Sequence, residues 1–281
     1  MRGEFVDLTG HRLYYYAAGT RGAGEPVIFL HGFPSSSHLW QEVVREMPGG
    51  YRLVVLDLLG FGRSDRPLFR DRGELSVVAH AGRVRELMVE LRIDTACLVG
   101  HGMGGAVAQC FALTWPERVS RLCLVNSVAF DRWPRGAAPL GRALCSAPAI
   151  ARALGAPLLA GLVHGSLLHG FADRERGRHA LDLYLRAFTG SLGVDALVAQ
   201  LRAMRDPYVP PLGARLGEIR QPTAIVWGER DPFLSRDLGE RLRSAIPGAT
   251  LDIIPGARHF SPVDAADKVA GAIQRLLARR A

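Results

Sequence analysis

Six short apolar runs recur along the chain, and their spacing restricts the fold more than any other feature. They are residues 26–30 (Pro-Val-Ile-Phe-Leu), 52–57 (Arg-Leu-Val-Val-Leu-Asp), 96–99 (Ala-Cys-Leu-Val), 121–125 (Arg-Leu-Cys-Leu-Val), 223–227 (Thr-Ala-Ile-Val-Trp) and 250–254 (Thr-Leu-Asp-Ile-Ile). Runs with little polar alternation suit strands that are buried on both faces of a parallel sheet. Segments with apolar residues at helical spacing lie between them; 76–91 carries Val77, Val78, Val84, Leu87, Met88 and Leu91. Helices are predicted also over 35–47, 103–115, 235–245 and 263–279. Strand–helix alternation of this kind predicts an α/β fold with a mainly parallel sheet. At the start, 5–8 and 12–17 flank Thr9-Gly10-His11 and predict a β-hairpin.

The alternation lapses between residues 131 and 221, where the text is rich in Ala, Leu, Gly and Pro and holds no strand-like run. Helical stretches are expected near 137–154, 158–168, 173–189 and 194–204. The expected organisation is therefore a core of 1–130 and 222–281 with a helical cap at 131–221.

Composition narrows the partners. The chain has 281 residues and a formal net charge of +8, yet Lys268 is its only lysine and its arginines are scattered among acids. No nucleic-acid motif accompanies them, so a nucleic-acid partner is not expected. Cys97, Cys110, Cys123 and Cys145 show no metal-ligand spacing and read as small buried hydrophobes. The first residues lack the apolar core of a secretory leader, and Pro and Gly interrupt the longest weakly charged stretch, 143–168. A cytoplasmic protein, monomeric or homodimeric and without a membrane partner, is the expectation. Neither a ligand cluster nor a nucleotide-binding glycine fingerprint points to a cofactor.

Four motifs fall at strand ends. They are His31-Gly32-Phe33-Pro34, then Gly100-His101-Gly102-Met103-Gly104-Gly105, then Trp227-Gly228-Glu229-Arg230-Asp231, and last Gly256-Ala257-Arg258-His259-Phe260. Together, and in that order, they resemble the α/β-hydrolase superfamily, in particular its capped epoxide-hydrolase, haloperoxidase and C–C-hydrolase relatives. The resemblance covers nearly everything outside the cap. It implies an eight-stranded, mostly parallel sheet flanked by helices. It further implies that Asp231 orients His259, and that the backbone N–H groups of Phe33 and Met103 form an oxyanion hole. Some relatives carry the acid after the preceding strand, where this chain reads Val125-Asn126-Ser127; that favours Asp231 as the acid. The resemblance also implies a structural role for the stretch 57–65 and a His101 side chain that points away from the pocket.

At the nucleophile elbow the family pattern is Gly-x-Ser-x-Gly, and here the third position is Gly102. A glycine cannot form an acyl-enzyme, and the aspartate needed by epoxide hydrolases is absent as well. The oxyanion hole and substrate binding alone still accelerate such reactions by about 10³–10⁴ over water. Three readings stay open. The first is a non-hydrolytic enzyme using His259 and Asp231 for acid–base chemistry, of lyase, cyclisation or C–C bond-forming type, in natural-product biosynthesis. The second is a serine hydrolase of an ester, lactone or C–C bond in which serine at 102 has been exchanged for glycine. The third is a non-catalytic ligand-binding module, which would have no need of an oriented base. Whichever holds, the apolar insertion favours a hydrophobic ligand, with aromatic or polycyclic molecules foremost. Its candidate contacts are His38, Trp40, Trp133 and Tyr184, with His164 and His169 as further candidates.

Overall fold

The computed structural model describes residues 3–19, 24–66, 72–130, 155–188, 193–203 and 211–279. Eight strands form one sheet in the order β1-β2-β4-β3-β5-β6-β7-β8. They are β1 (Gly3–Leu8), β2 (His11–Ala18), β3 (Pro26–Leu30), β4 (Arg52–Leu56), β5 (Ala96–Gly102), β6 (Val119–Ser127), β7 (Thr223–Gly228) and β8 (Thr250–Ile254). Strand β2 runs antiparallel to β1 and β4, and every other pairing is parallel. The expected hairpin and all six apolar runs are present. Every residue of β5 is buried, as its place in the middle of the sheet demands.

Helices α1 (Gln41–Glu46), α2 (Val77–Glu90) and α3 (Met103–Thr114) follow β3, β4 and β5. Ser76 caps α2 by accepting a hydrogen bond from the N–H of Ala79 at 3.1 Å, which satisfies one donor of the first turn. Helix α3 lies against β5 and β6 and beside α2. Between β6 and β7, the described part of the insertion consists of α4 (Ala156–Leu167), α5 (Arg174–Leu185) and α6 (Gly193–Ala203), with short 3₁₀ turns. No strand occurs there among the described residues. The helix expected at 137–154, with Trp133 and Cys145, lies outside them. The chain closes with α7 (Arg236–Ala245), α8 (Ser261–Asp264) and α9 (Ala266–Leu277), and α9 packs against α1.

Two expected helices are broken, for visible reasons. Residues 35–47 begin as a 3₁₀ turn (Ser37–Trp40) before α1. There the Asp57 carboxylate accepts from the N–H of Ser37 at 2.6 Å and Ser35 bonds back to the carbonyl of Gly32 at 2.8 Å, which ties the segment to β4 and β3. The expected final helix is interrupted at Ala265, whose φ of −149° and ψ of 60° are not helical. Just before it, Asp264 accepts from the N–H groups of Ala172 and Arg258, each at 2.9 Å, which pins α8 to the insertion and to the loop before it.

Candidate active site

The site is assembled where β3, β5, β6, β7 and β8 end. Gly102 is the last residue of β5 and the N-cap of α3, with φ 54° and ψ −120°. Only glycine adopts such backbone freely. Around it the chain is too tight for side chains: a Cβ on Gly104 would run into the carbonyls of Leu30 and His31, and one on Gly100 into Gly104. Gly102 itself is not crowded. A Cβ there would meet only Gly32 Cα at 3.6 Å and His259 Nε2 at 3.9 Å. The first N–H of α3 belongs to Met103, and the Gly32–Phe33 turn rests against it; a Cβ on Gly32 would stand 3.2 Å from Met103 N. The first N–H groups of a helix have no partner within it and favour anions.

His259 and Asp231 meet as the motifs imply. Nδ1 of His259 lies 2.8 Å from Oδ2 of Asp231, with both side chains buried. A carboxylate only accepts, so Nδ1 carries the proton and the lone pair of Nε2 faces the space above Gly102. Oδ1 of Asp231 accepts from the N–H groups of Phe233 at 2.8 Å and Leu234 at 3.0 Å. Burial, the largest influence on this carboxyl, would raise its pKa. The charge of His259 and the hydrogen bonds from His259, Leu234 and Asn126 outweigh it and hold the group below its ordinary value. Rings of Phe233 and Phe260 meet the imidazole edge-on, at 5.2 and 5.1 Å between centroids.

In sequence Asn126 is no more than a position without an acid, yet its Nδ2 donates to Oδ2 of Asp231 at 2.7 Å. Its Oδ1 accepts from the Ser261 hydroxyl at 2.7 Å and from the N–H of Gly228 at 3.3 Å. The available signal was its place, a polar side chain directly after the apolar run Leu122–Val125.

His101 packs behind the elbow. Its Nε2 donates to the backbone carbonyl of His259 at 3.0 Å, and its ring stacks on Phe260. Burial, with His259 nearby, pushes its pKa down to about 3, so it is a neutral prop for the histidine loop. Trp40, offered as a substrate contact, is a core residue. It is fully buried between Phe29 (5.3 Å) and His101 (6.4 Å), because the 3₁₀ turn rotates it inward. His38 is half-buried and Tyr184 fully buried, and both line a groove of about 590 Å³ between α1 and α5. Tyr184 also touches Phe260 (6.4 Å). His164 and His169 lie on the α4 side, paired with Asp182 and the carbonyl of Gly165. Trp133 is outside the described residues. Asp57, in the stretch read as structural, accepts from the N–H groups of Ser37 and Arg63 and leaves no space for a side chain at Gly62.

The insertion grips the histidine loop directly. Phe171 stacks on Phe260 at 4.2 Å, the N–H of Phe260 donates to the carbonyl of Gly170 at 3.0 Å, and Arg258 donates to the carbonyl of His169 at 2.9 Å. A second aromatic group, Phe33, Phe61 and Phe188, stands on the Gly32 side. Among the described residues, no group of three or more His, Cys, Asp or Glu is placed to hold a metal ion, and no helix is long and apolar enough to cross a membrane.

Comparison with known proteins agrees with this architecture. A family model described as the alpha/beta hydrolase fold matches residues 25–142. The 2-hydroxy-6-oxononadienedioate/2-hydroxy-6-oxononatrienedioate hydrolase of Klebsiella pneumoniae is 30% identical, over 98% of this chain and 94% of that protein. The 2-hydroxy-6-oxo-6-phenylhexa-2,4-dienoate hydrolase of Burkholderia cepacia is likewise 30% identical, over 88% and 85%. Among solved structures, an alpha/beta hydrolase fold protein from Burkholderia ambifaria superposes with a TM-score of 0.87 at 26% identity, covering 97% of each chain. Taken with the sheet order, the strand-end motifs and the His259–Asp231 pair, these relationships make the chain a member of the α/β-hydrolase superfamily.

Proposed function

We propose that this protein is an enzyme that acts on a largely apolar, carbonyl-containing small molecule through acid–base chemistry at His259, with no covalent intermediate. The observation carrying this reading is the pairing of a vacant side-chain position with an intact base: the Cβ position of Gly102 lies 3.9 Å from Nε2 of His259, whose Nδ1 is held by Asp231. A substrate atom takes the place that a hydroxyl holds in the serine enzymes. The substrate's carbonyl oxygen accepts from the N–H groups of Phe33 and Met103. Nε2 removes a proton from the carbon beside the carbonyl, and the C–H bonding pair moves towards the oxygen, giving an enolate. Asp231 stabilises the imidazolium. The enolate carbon then adds to an electrophilic carbonyl carbon, whose π pair moves to its own oxygen and takes the proton from His259, as in the cyclisation and bond-forming steps of natural-product assembly. The lyase direction is the reverse, in which Nε2 removes the proton of that hydroxyl, the C–C bonding pair becomes the enolate and the imidazolium returns the proton to its carbon. The flanking aromatic groups favour an apolar ligand, and both relatives named above are hydrolases of oxo acids, a carbonyl class. The helical insertion serves as the cap that covers this ligand.

A serine hydrolase that has lost its hydroxyl is the second reading. It is favoured by the room at Gly102, where a side chain meets only ordinary contacts, and by the hydrolase names of the relatives. Two variants separate the readings. Incubated in D₂O with aryl ketones and 2-oxo acids, the protein should exchange the proton beside the carbonyl of its ligand class, as followed by ¹H NMR. His259→Ala should lower that exchange by about 10²–10⁴-fold, and undiminished exchange in this variant overturns the acid–base role. Gly102→Ser should gain little hydrolysis of 4-nitrophenyl esters and label weakly with a fluorophosphonate; strong esterase activity with stoichiometric labelling supports the serine hydrolase instead.

A further inference from the structure

We propose that Asn126 is a positioning residue of this site: it fixes the Asp231 carboxylate in the one orientation that keeps the imidazole of His259 aimed at the space above Gly102. The proposal rests on the acid–base reading of His259 and names the residue on which that base depends.

Three observations lead there. First, the orientation of the Asn126 amide is determined by its partners. The backbone N–H of Gly228 can only donate, so the atom facing it at 3.3 Å is Oδ1, and Nδ2 must face Asp231. Second, the amide joins four separate pieces of chain. It contacts the end of β7 through Gly228, the acid turn through Asp231, α8 through Ser261, and the histidine loop through a long approach to the carbonyl of Arg258 at 3.5 Å. Third, Asn126 is fully buried and has a φ of +40°. Asparagine and aspartate are the side chains that tolerate such backbone best.

The glycine at 102 gives this clamp its importance. In a serine enzyme the nucleophile's hydroxyl supplies a partner on the Nε2 side of the imidazole. Here that side has no side chain to hold it, so ring orientation falls to the Nδ1–Asp231 bond and the edge-on phenylalanines. Oδ2 of Asp231 receives two donors, His259 Nδ1 at 2.8 Å and Asn126 Nδ2 at 2.7 Å. Without the second, the only donor left on Oδ2 is the imidazole itself, and the pair is anchored to the rest of the fold through the two N–H groups on Oδ1 alone. The other titratable group against the pair is His101 of β5, which burial keeps neutral. The Arg258 guanidinium is turned away, onto the carbonyl of His169.

The test uses the full chain and needs no knowledge of the substrate. Protein labelled with ¹³C at its aspartate carboxyls and ¹⁵N at its histidines is titrated by NMR as wild type, Asn126→Gly and Asn126→Asp. Glycine removes the amide while accepting the positive φ; aspartate keeps the shape but turns a donor into an acceptor. In Asn126→Gly, the Asp231 midpoint should rise by about one pH unit and the low-field Nδ1 proton of His259 should broaden. In Asn126→Asp, two carboxyls share one proton, and the upper midpoint of the pair should rise by about one to three units. If Asn126→Gly fails to show a cooperative unfolding transition, Asn126→Asp decides. A folded variant with unchanged Asp231 midpoint and Nδ1 proton overturns the proposal. Absence of substrate-proton exchange in the wild type would defeat the acid–base reading alone, because the NMR titration does not depend on it.

Discussion

At Gly102 a missing side chain changes chemistry and strain together. The φ of 54° with ψ of −120° is backbone that a serine adopts only under strain, of about 1–3 kcal/mol per residue. Glycine relieves it. Gly102→Ser should therefore fold with the same core but unfold with about 1–3 kcal/mol less stability in urea, whatever its effect on activity. An unchanged midpoint would mean that the elbow relaxes around the new side chain. The sequence made this residue legible, because the motif fixes its position and a glycine is unmistakable. Asp231 and His259 were legible for the same reason. Asn126 was not: no local pattern tells that one amide will meet Gly228, Asp231 and Ser261, which lie 102, 105 and 135 residues further along. Trp40 failed for a different reason. Its neighbourhood in sequence is the His31–Pro34 motif, but the 3₁₀ turn directs its ring into the core.

Among the elements, the strands were read best, since a continuous apolar run has few places to go except a doubly covered sheet. Helix ends were read worst, because side chains distant in sequence set them: Asp57 tightens the turn before α1, and Asp264 breaks the last helix after one turn. The close seating of α3 on β3 makes a separate prediction. A Cβ on Gly104 would press on the carbonyls of Leu30 and His31, so Gly104→Ala must lift the helix from the strand. Overpacking of this kind costs about 1–3 kcal/mol. The same shift carries the Met103 N–H away from the position proposed for the substrate oxygen, so substrate-proton exchange should fall in protein that is still folded at the assay temperature. Full exchange with lowered stability would separate the seating of α3 from the chemistry.

For the molecule as a whole, acid is the revealing perturbation. His80 and His101 are buried, and burial, the largest cause in each, lowers their pKa from 6.5 to about 3; His31 is lowered for the same reason. Each must gain a proton when the chain unfolds below its ordinary pKa. Depressed values of this kind stabilise the fold fully above about pH 6.5, and that stabilisation is lost as the pH falls towards 3. Asp231, also depressed, acts in the same direction at lower pH. Between pH 6 and 4, urea unfolding should show stability falling by about 1.4 kcal/mol per pH unit for each of His80 and His101. His80→Phe should remove one share of that slope; an unaltered slope would show that His80 does not titrate on unfolding.

The uncrowded turn at Gly102 has a consequence for descent. The glycine codons GGT and GGC differ from the serine codons AGT and AGC by their first base alone. Sterically, nothing around the position needs rebuilding for either residue. Where one of those codons is used, the proposed acid–base enzyme and the serine hydrolase weighed against it stand a single transition apart, and a lineage that carries it can cross in either direction without first remodelling its fold.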